Sequence, residues 1–251
     1  MSKLSFDPIK RMGQCFLQDK NILELEAKLA NPKHKTVLEI GPGDGRLTEV
    51  LLRHKPKKIF AVEKDYRFIH LLKKKFANAP VEIIEGDILK IKIPEVDIVI
   101  GNIPYYISSD IIFTIKDSNF EHAVLMVQKE FAQKMVAEKN KSNYGRLSVT
   151  SQIHFDIKLK HIVPRHLFVP IPQVDSAIII LKPTKASITQ FDENVIRYIF
   201  QHKNQTVRNA LLHSKFFEKY ELDVLGKFAK RKGRTLSKTE CLEISKLLSS
   251  V

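Results

Sequence analysis

From Thr36 to about Pro183 the chain alternates short β-branched runs with amphipathic stretches. That alternation describes a sheet of mostly parallel strands with helices on its faces. The runs are Thr36–Ile40, Lys58–Val62, Val81–Ile84, Val96–Ile100, Ala123–Val127, Leu147–His154 and Ser176–Leu181. Several are apolar at consecutive positions, as strands covered on both faces require. Between them Leu47–Leu52, Phe68–Phe76, Ile111–Ile115 and Phe131–Val136 carry helical spacing, and Ser108 and Ser109 are placed to cap the third. After Lys182-Pro183-Thr184-Lys185 no strand run recurs. Val195–Phe200, Val207–Leu212, Leu222–Phe228 and Cys241–Leu248 all read as helix. The spacing therefore predicts a seven-stranded sheet domain over residues 1–184 and a small all-helical domain over 185–251.

Charge narrows the partner. The 251 residues carry 42 Lys+Arg against 28 Asp+Glu, a net charge of +14 that calls for a polyanion, either nucleic acid or an acidic membrane surface. Two cysteines, Cys15 and Cys241, exclude a disulfide scaffold. Apolar runs such as Ala177–Leu181 fall far short of the about 20 residues a spanning helix needs. Met1–Gly13 mixes charge with isolated apolar residues and offers no apolar core for a secretory signal, so a soluble cytoplasmic protein is expected. The histidines show no His-x-x-x-His pairing, and no metal site is expected. Lys227, Lys230, Arg231, Lys232 and Arg234 cluster in the helical segment. A solvated helix end would explain that cluster by itself; the overall charge favours an RNA-facing surface, to which Lys203 and Arg208 are added.

Glu39-Ile40-Gly41-Pro42-Gly43-Asp44-Gly45 follows the first strand run and opens a helix. Glycines at alternate positions let the backbone turn tightly and approach a ligand. A dinucleotide fingerprint would need glycine where this chain has Arg46, and Glu39 is a poor neighbour for phosphates but a good one for an ammonium group. A glycine turn alone is an ordinary strand-to-helix connection. Here Glu63 ends the second run, where a carboxylate can take both hydroxyls of a ribose, and Asp87 follows the third, where it can accept an adenine amino group. Each acid alone reads as a loop residue. Three acid-bearing turns at the carboxyl ends of successive strands describe adenosine joined to an amino acid, which is S-adenosylmethionine.

The fourth run ends in Gly101-Asn102-Ile103-Pro104-Tyr105-Tyr106. An adenine amino group is a poor nucleophile because its lone pair is delocalised into the ring. Two acceptors around its hydrogens favour a tetrahedral nitrogen with the lone pair aimed at a methyl donor. The Asn102 side-chain oxygen and the Ile103 carbonyl are candidates for those acceptors; Pro104 stiffens the turn, and Tyr105 offers a face for the base. An Asn-x-Pro turn after a strand is the plain alternative.

With these motifs, the chain resembles the KsgA family of ribosomal RNA adenine N6-dimethyltransferases, its archaeal members especially. Besides Glu39–Gly43 and Asn102–Tyr105, the resemblance runs through Gly13-Gln14-Cys15-Phe16-Leu17, Ile107-Ser108-Ser109, Gln128-Lys129-Glu130 and Tyr144-Gly145-Arg146-Leu147-Ser148-Val149. It continues in Phe168-Val169-Pro170-Ile171-Pro172-Gln173-Val174-Asp175-Ser176-Ala177 and Phe200-Gln201-His202-Lys203-Asn204. It implies a Rossmann-like α/β methyltransferase sheet with a helical C-terminal domain and S-adenosylmethionine as methyl donor. Gln14, Cys15 and Leu17 would cover the methionine end of the donor, Gly41 and Gly43 line it, Glu63 hold its ribose, and Asp87 with Ile88 its adenine. Asn102 would hold the reacting amine, and Phe168 would sandwich the target base against Tyr105. Two departures stand out: Cys15 where bacterial members have Asn, and Pro170-Ile171-Pro172 in place of a run of three prolines. Nothing near Cys15 in sequence supplies a base, so it is expected to be a packed thiol.

The activity implied is dimethylation of two adjacent adenosines near the 3′ end of small-subunit rRNA, by a monomer acting on a pre-ribosomal small subunit. A large-subunit rRNA dimethyltransferase shares the fold and the tetrapeptide, but Phe168–Ala177 and Phe200–Asn204 speak against it. A DNA methyltransferase would need a sequence-reading domain. A binding-only assembly factor would not need Asn102–Tyr105 and the three acids together.

Overall fold

The structure is a computed structural model that describes residues 14–186 and 188–250; Gly13, which opens the first motif of the resemblance, lies outside them. It divides into two compact units, one made of Met1–Ala132 with Lys158–Pro183, the other of Gln133–Ile157 with Thr184–Val251.

The first unit is built on strands β2 (Thr36–Ile40), β3 (Lys58–Glu63), β4 (Val81–Glu85), β5 (Ile98–Asn102), β6 (His122–Gln128), β7 (Phe155–Val163) and β9 (Ser176–Pro183). They form one seven-stranded sheet in the order β4-β3-β2-β5-β6-β9-β7. The pairs β4–β3, β3–β2, β2–β5 and β5–β6 are parallel, and β9 runs antiparallel to β6. Two short strands, β1 (Phe16–Leu17) and β8 (Phe168–Val169), pair antiparallel beside it, with Leu17 opposite Phe168. The sheet order reverses at β2, which has β3 on one side and β5 on the other; ligands of open α/β sheets bind at such a point, beyond the strand carboxyl ends.

Helices α1 (Lys20–Ala30), α2 (Arg46–Arg53), α3 (Tyr66–Lys75), α4 (Ser108–Ile115) and α5 (Lys129–Met135) complete this part of the chain. The stripe Leu23, Ala27, Ala30 of α1 is buried with Leu47, Val50 and Leu51 of α2 against Val37, Ile98, Ile100 and Val124 of the sheet. Helix α1 is absent from the sequence reading because charged residues interrupt its stripe. Its start is nonetheless local: the Asp19 side chain accepts from the N–H groups of Asn21 (2.8 Å) and Ile22 (3.0 Å).

The seventh strand is not the one expected. Arg146–His154 is helix α6, and the strand follows it at Phe155–Val163. Val149 and Ile153, four residues apart, enter one core with Val195, Ile199, Phe200 and Ile244, so the β-branched run is read by packing as a helix face. The same contacts draw 133–157 into the helical unit, which the boundary expected at 184/185 had left with the sheet. The rest of that unit is α7 (Gln190–Gln201), α8 (Val207–His213) and α9 (Lys238–Leu248). Leu222–Phe228, expected as helix, falls within Glu221–Phe228, which is made of 3-10 turns broken at Gly226, where φ is 47°. No helix among the described residues is long and apolar enough to cross a membrane.

Candidate active site

A cleft lies across the carboxyl ends of β2 to β5, enclosing about 1240 Å³ of empty space with its open mouth included. The strand register brings the expected residues to it. Glu39 pairs with Ala61 and Ile100, Glu63 with Glu85, and Asn102 with Met126, so the ends of four parallel strands lie along one edge. Gln14, Cys15, Leu17, Gly41, Gly43, Glu63, Asp87, Ile88, Asn102, Ile103, Pro104, Tyr105 and Phe168 all line this cleft, as does Glu39.

The glycines have separate tasks. All three of Gly41, Gly43 and Gly45 have positive φ. A Cβ on Gly45 would strike the Phe76 ring at 2.8 Å, so this glycine lets α2 pack on α3. A Cβ on Gly41 would meet nothing within 4 Å, which leaves bare backbone facing open space. Arg46, the residue that departs from the dinucleotide fingerprint, donates from Nε to Asp44 at 2.7 Å and from Nη1 to the Gln18 side chain.

Glu39 is buried. Its Oε2 accepts from the Thr48 hydroxyl at 2.7 Å, while Oε1 has no partner. Desolvation pushes its carboxyl up to about 7. A buried acceptor without a partner, on a residue that lines the cleft, suits a cationic ligand group. Glu63 is clamped by backbone: Oε2 accepts from Gly43 N (3.0 Å), and Oε1 from Lys64 N (2.9 Å) and Asp65 N (2.8 Å). Burial raises its pKa against the lowering effect of those donors. Of its about four lone-pair sites, three are engaged. Asp87 accepts from Lys64 Nζ (2.8 Å) and Leu89 N (3.1 Å), and the lysine holds its pKa below the ordinary value.

Gln14 donates to Asp65 at 2.8 Å and accepts from Arg67 at 3.2 Å, tying its segment to the N-cap of α3. Cys15 is half-buried, and burial raises its thiol pKa, as expected for a packed thiol. At the end of β5 the Asn102 Oδ1 is buried without a partner, and its Nδ2 donates to Glu26 of α1 at 3.4 Å. The Tyr105 hydroxyl is 2.6 Å from that of Ser176, which anchors the ring from β9. Phe168 is only 3% exposed, whereas Tyr106, which the sequence reading passed over, is 61% exposed at the cleft. Glu26 was also missed; an acid at a stripe position of α1 was its one signal.

A sequence model of the family described as ribosomal RNA adenine dimethylase matches residues 7–246. The chain belongs to this family. A relative described as a probable ribosomal RNA small subunit methyltransferase A, from Thermococcus sibiricus, is 42% identical over 216 residues, covering 85% of this chain and 79% of its own. Among solved structures, a dimethyladenosine transferase from Plasmodium falciparum superposes with a TM-score of 0.81 at 34% identity, covering 91% of this chain and 95% of that one. The 23S rRNA methyltransferase ErmE superposes at 0.68 with 26% identity, covering 93% and 99%. The α/β methyltransferase sheet expected from the sequence is thus the family's fold.

In the helical unit of this rRNA adenine dimethylase the basic residues divide. Lys203 donates to the carbonyls of Ser142 (3.0 Å) and Tyr144 (2.7 Å). Arg208 holds the carbonyls of Leu222 (3.1 Å) and Lys219 (3.0 Å) and pairs with Asp223. Arg231 pairs with Glu240 and donates to the Thr235 carbonyl at 2.7 Å. Lys227 pairs with Glu243 at 3.3 Å. Lys230, Lys232 and Arg234 are exposed. Among the described residues, no group of three or more His, Cys, Asp or Glu side chains could hold a metal ion.

Proposed function

We propose that the protein transfers methyl groups from S-adenosylmethionine to the N6 of two adjacent adenosines near the 3′ end of small-subunit rRNA. The observation that carries this is one cleft lined by both the acid-bearing ends of β2 to β4 and the Asn102–Tyr105 turn. Glu39 Oε1 accepts the donor's ammonium group, Glu63 a hydroxyl of its ribose through its one remaining acceptor site, and Asp87 its adenine amine; Gly41 permits close backbone approach, and Leu17 and Ile88 close apolar walls. The bound donor supplies a methyl on a positively charged sulfur, already an activated leaving group. Asn102 Oδ1 and the Ile103 carbonyl accept the two N–H bonds of the target amine and turn its lone pair outward. Tyr105 offers a face to the base, while Phe168, 3% exposed, serves as cleft wall rather than as the second face expected from the resemblance. Positioning provides much of the rate. The nitrogen gains one bond to carbon as the carbon–sulfur bond breaks, and its proton leaves to water.

Lys230, Lys232 and Arg234 supply free positive charge for phosphates, within a net surplus of +14. The reading extends to a monomer working in the cytoplasm on a pre-ribosomal small subunit. Incubating that particle with isotopically labelled donor, then digesting and weighing the rRNA, tests it. Label on two neighbouring small-subunit adenosines is expected; label on large-subunit rRNA, or none, overturns the reading.

A further inference from the structure

Asn102 has two chemically different ends, and only one suits the reaction. Its carbonyl must meet the target amine, because an NH₂ placed there would oppose the amine's own hydrogens. An amide's orientation is assigned from what its two ends find. Here that partner is Glu26, fully buried on α1, whose Oε2 accepts from Asn102 Nδ2 at 3.4 Å. Both the Asn102 Oδ1 and the second Glu26 oxygen are buried without partners.

Glu26 is costly where it stands. The other buried residues of α1 are Leu23, Ala27 and Ala30, and a side chain of the same length without oxygens would complete that stripe. A buried carboxyl with one long hydrogen bond is a liability for folding, and such groups concentrate at functional sites. Desolvation, with the charge of nearby Glu39 adding to it, pushes the Glu26 carboxyl up to about 8. The neutral acid still presents a carbonyl oxygen to Asn102.

We propose that Glu26 is a positioning residue for methyl transfer: by accepting from Asn102 Nδ2 it leaves Oδ1 as the end of the amide available to the target adenine. It touches neither donor nor base. The inference rests on the role given to Asn102 above, and the test separates the two.

Single-turnover transfer at saturating donor and RNA is compared for Glu26→Met, Glu26→Leu, Glu26→Gln, Asn102→Ala and Asn102→Ala with Glu26→Met. The apolar variants should transfer about 10-fold more slowly or worse, with donor affinity within about twofold of the parent, as expected when an effect belongs to the transition state. Glu26→Gln, which keeps an acceptor and mimics the neutral acid, should recover most of the rate. Adding Glu26→Met to Asn102→Ala should slow it no further, because the two residues act as one unit. In the parent, the Asn102 NH₂ should show one slowly exchanging proton by NMR, a result that does not depend on how any variant folds. Parent-like rates in both apolar variants while Asn102→Ala is slow overturn the inference and leave the Asn102 role standing. Additive losses in the double variant, or two freely exchanging Asn102 protons, also overturn it. A parent-like rate in Asn102→Ala overturns the role of Asn102 and this inference with it.

Discussion

Replacing Glu63 by alanine should weaken the donor site and the fold together, because the carboxylate serves both. Its oxygens receive three backbone N–H groups, from Gly43, Lys64 and Asp65, at 2.8–3.0 Å. Hydrogen bonds to a charged group contribute about 1.5–3 kcal/mol each, so three sum to roughly 4.5–9 kcal/mol if all donors stay dry. They do not stay dry: Glu63 lines the open cleft, and water can follow the missing side chain. Burial also raises the Glu63 pKa, a desolvation penalty that disappears with the carboxylate. The net loss should therefore be about 2–4 kcal/mol. At roughly 2–4 °C per kcal/mol for a chain of this size, calorimetry should show Tm falling by about 5–15 °C. Isothermal titration of S-adenosylmethionine below that transition should show an affinity loss of about 10- to 150-fold, from about 1.5–3 kcal/mol of ribose hydrogen bonding. Glu63→Gln keeps one acceptor and should fall between alanine and parent on both scales. A lowered Tm with unchanged donor affinity would make Glu63 a clamp for the turn after β3 and refute its role toward ribose. An unchanged Tm would refute the accounting of the three N–H donors.

Gly101→Ala would place a Cβ 2.6 Å from the Ile40 carbonyl, where β5 meets β2, so a loss of about 1–3 kcal/mol and slower transfer through the adjacent Asn102 are expected; a parent-like melting curve would contradict so close an approach. Reversing Lys230, Lys232 and Arg234 to Glu should weaken binding to the small-subunit particle and flatten its salt dependence, with Tm little changed. Arg231→Met should do the opposite, since its guanidinium is held by Glu240 and the Thr235 carbonyl; equal effects of the two changes on RNA affinity would erase the distinction. The folded-state pKa values of Glu26 and Glu39 lie near 8 and 7, above the usual 4.5, so the native state binds extra protons in between. Their contribution is full below about 4.5 and is lost as pH rises to about 8, so the advantage of Glu26→Gln over the parent in denaturant melts should grow across that window. A constant difference from pH 5 to 8.5 would show that Glu26 does not titrate there.

Much of the molecule was legible because its signals are local. A strand buried on both faces is a run of apolar residues, and a backbone at positive φ before a helix is a glycine; thus β2, β3, β6 and β9 and the turn from Gly41 to Gly45 could be read directly, and β4, an edge strand with no fully buried residue, from its β-branched residues. The acids at the strand ends were legible for the same reason, since parallel register carries whatever follows each strand to one edge. What sequence could not settle depended on partners distant along the chain. Arg146–His154 has the composition of a strand, and only a core shared with Val195 and Ile244 makes it a helix. Arg231 and Lys230 are neighbours in one basic run, yet Glu240 takes the first into the structure and leaves the second at the surface. Asn102 could be named from its tetrapeptide. That its amide meets a buried carboxyl from α1, 76 positions away, follows from helix packing on the sheet, because burial turns an acid that would otherwise be solvated into an obligate hydrogen-bond partner.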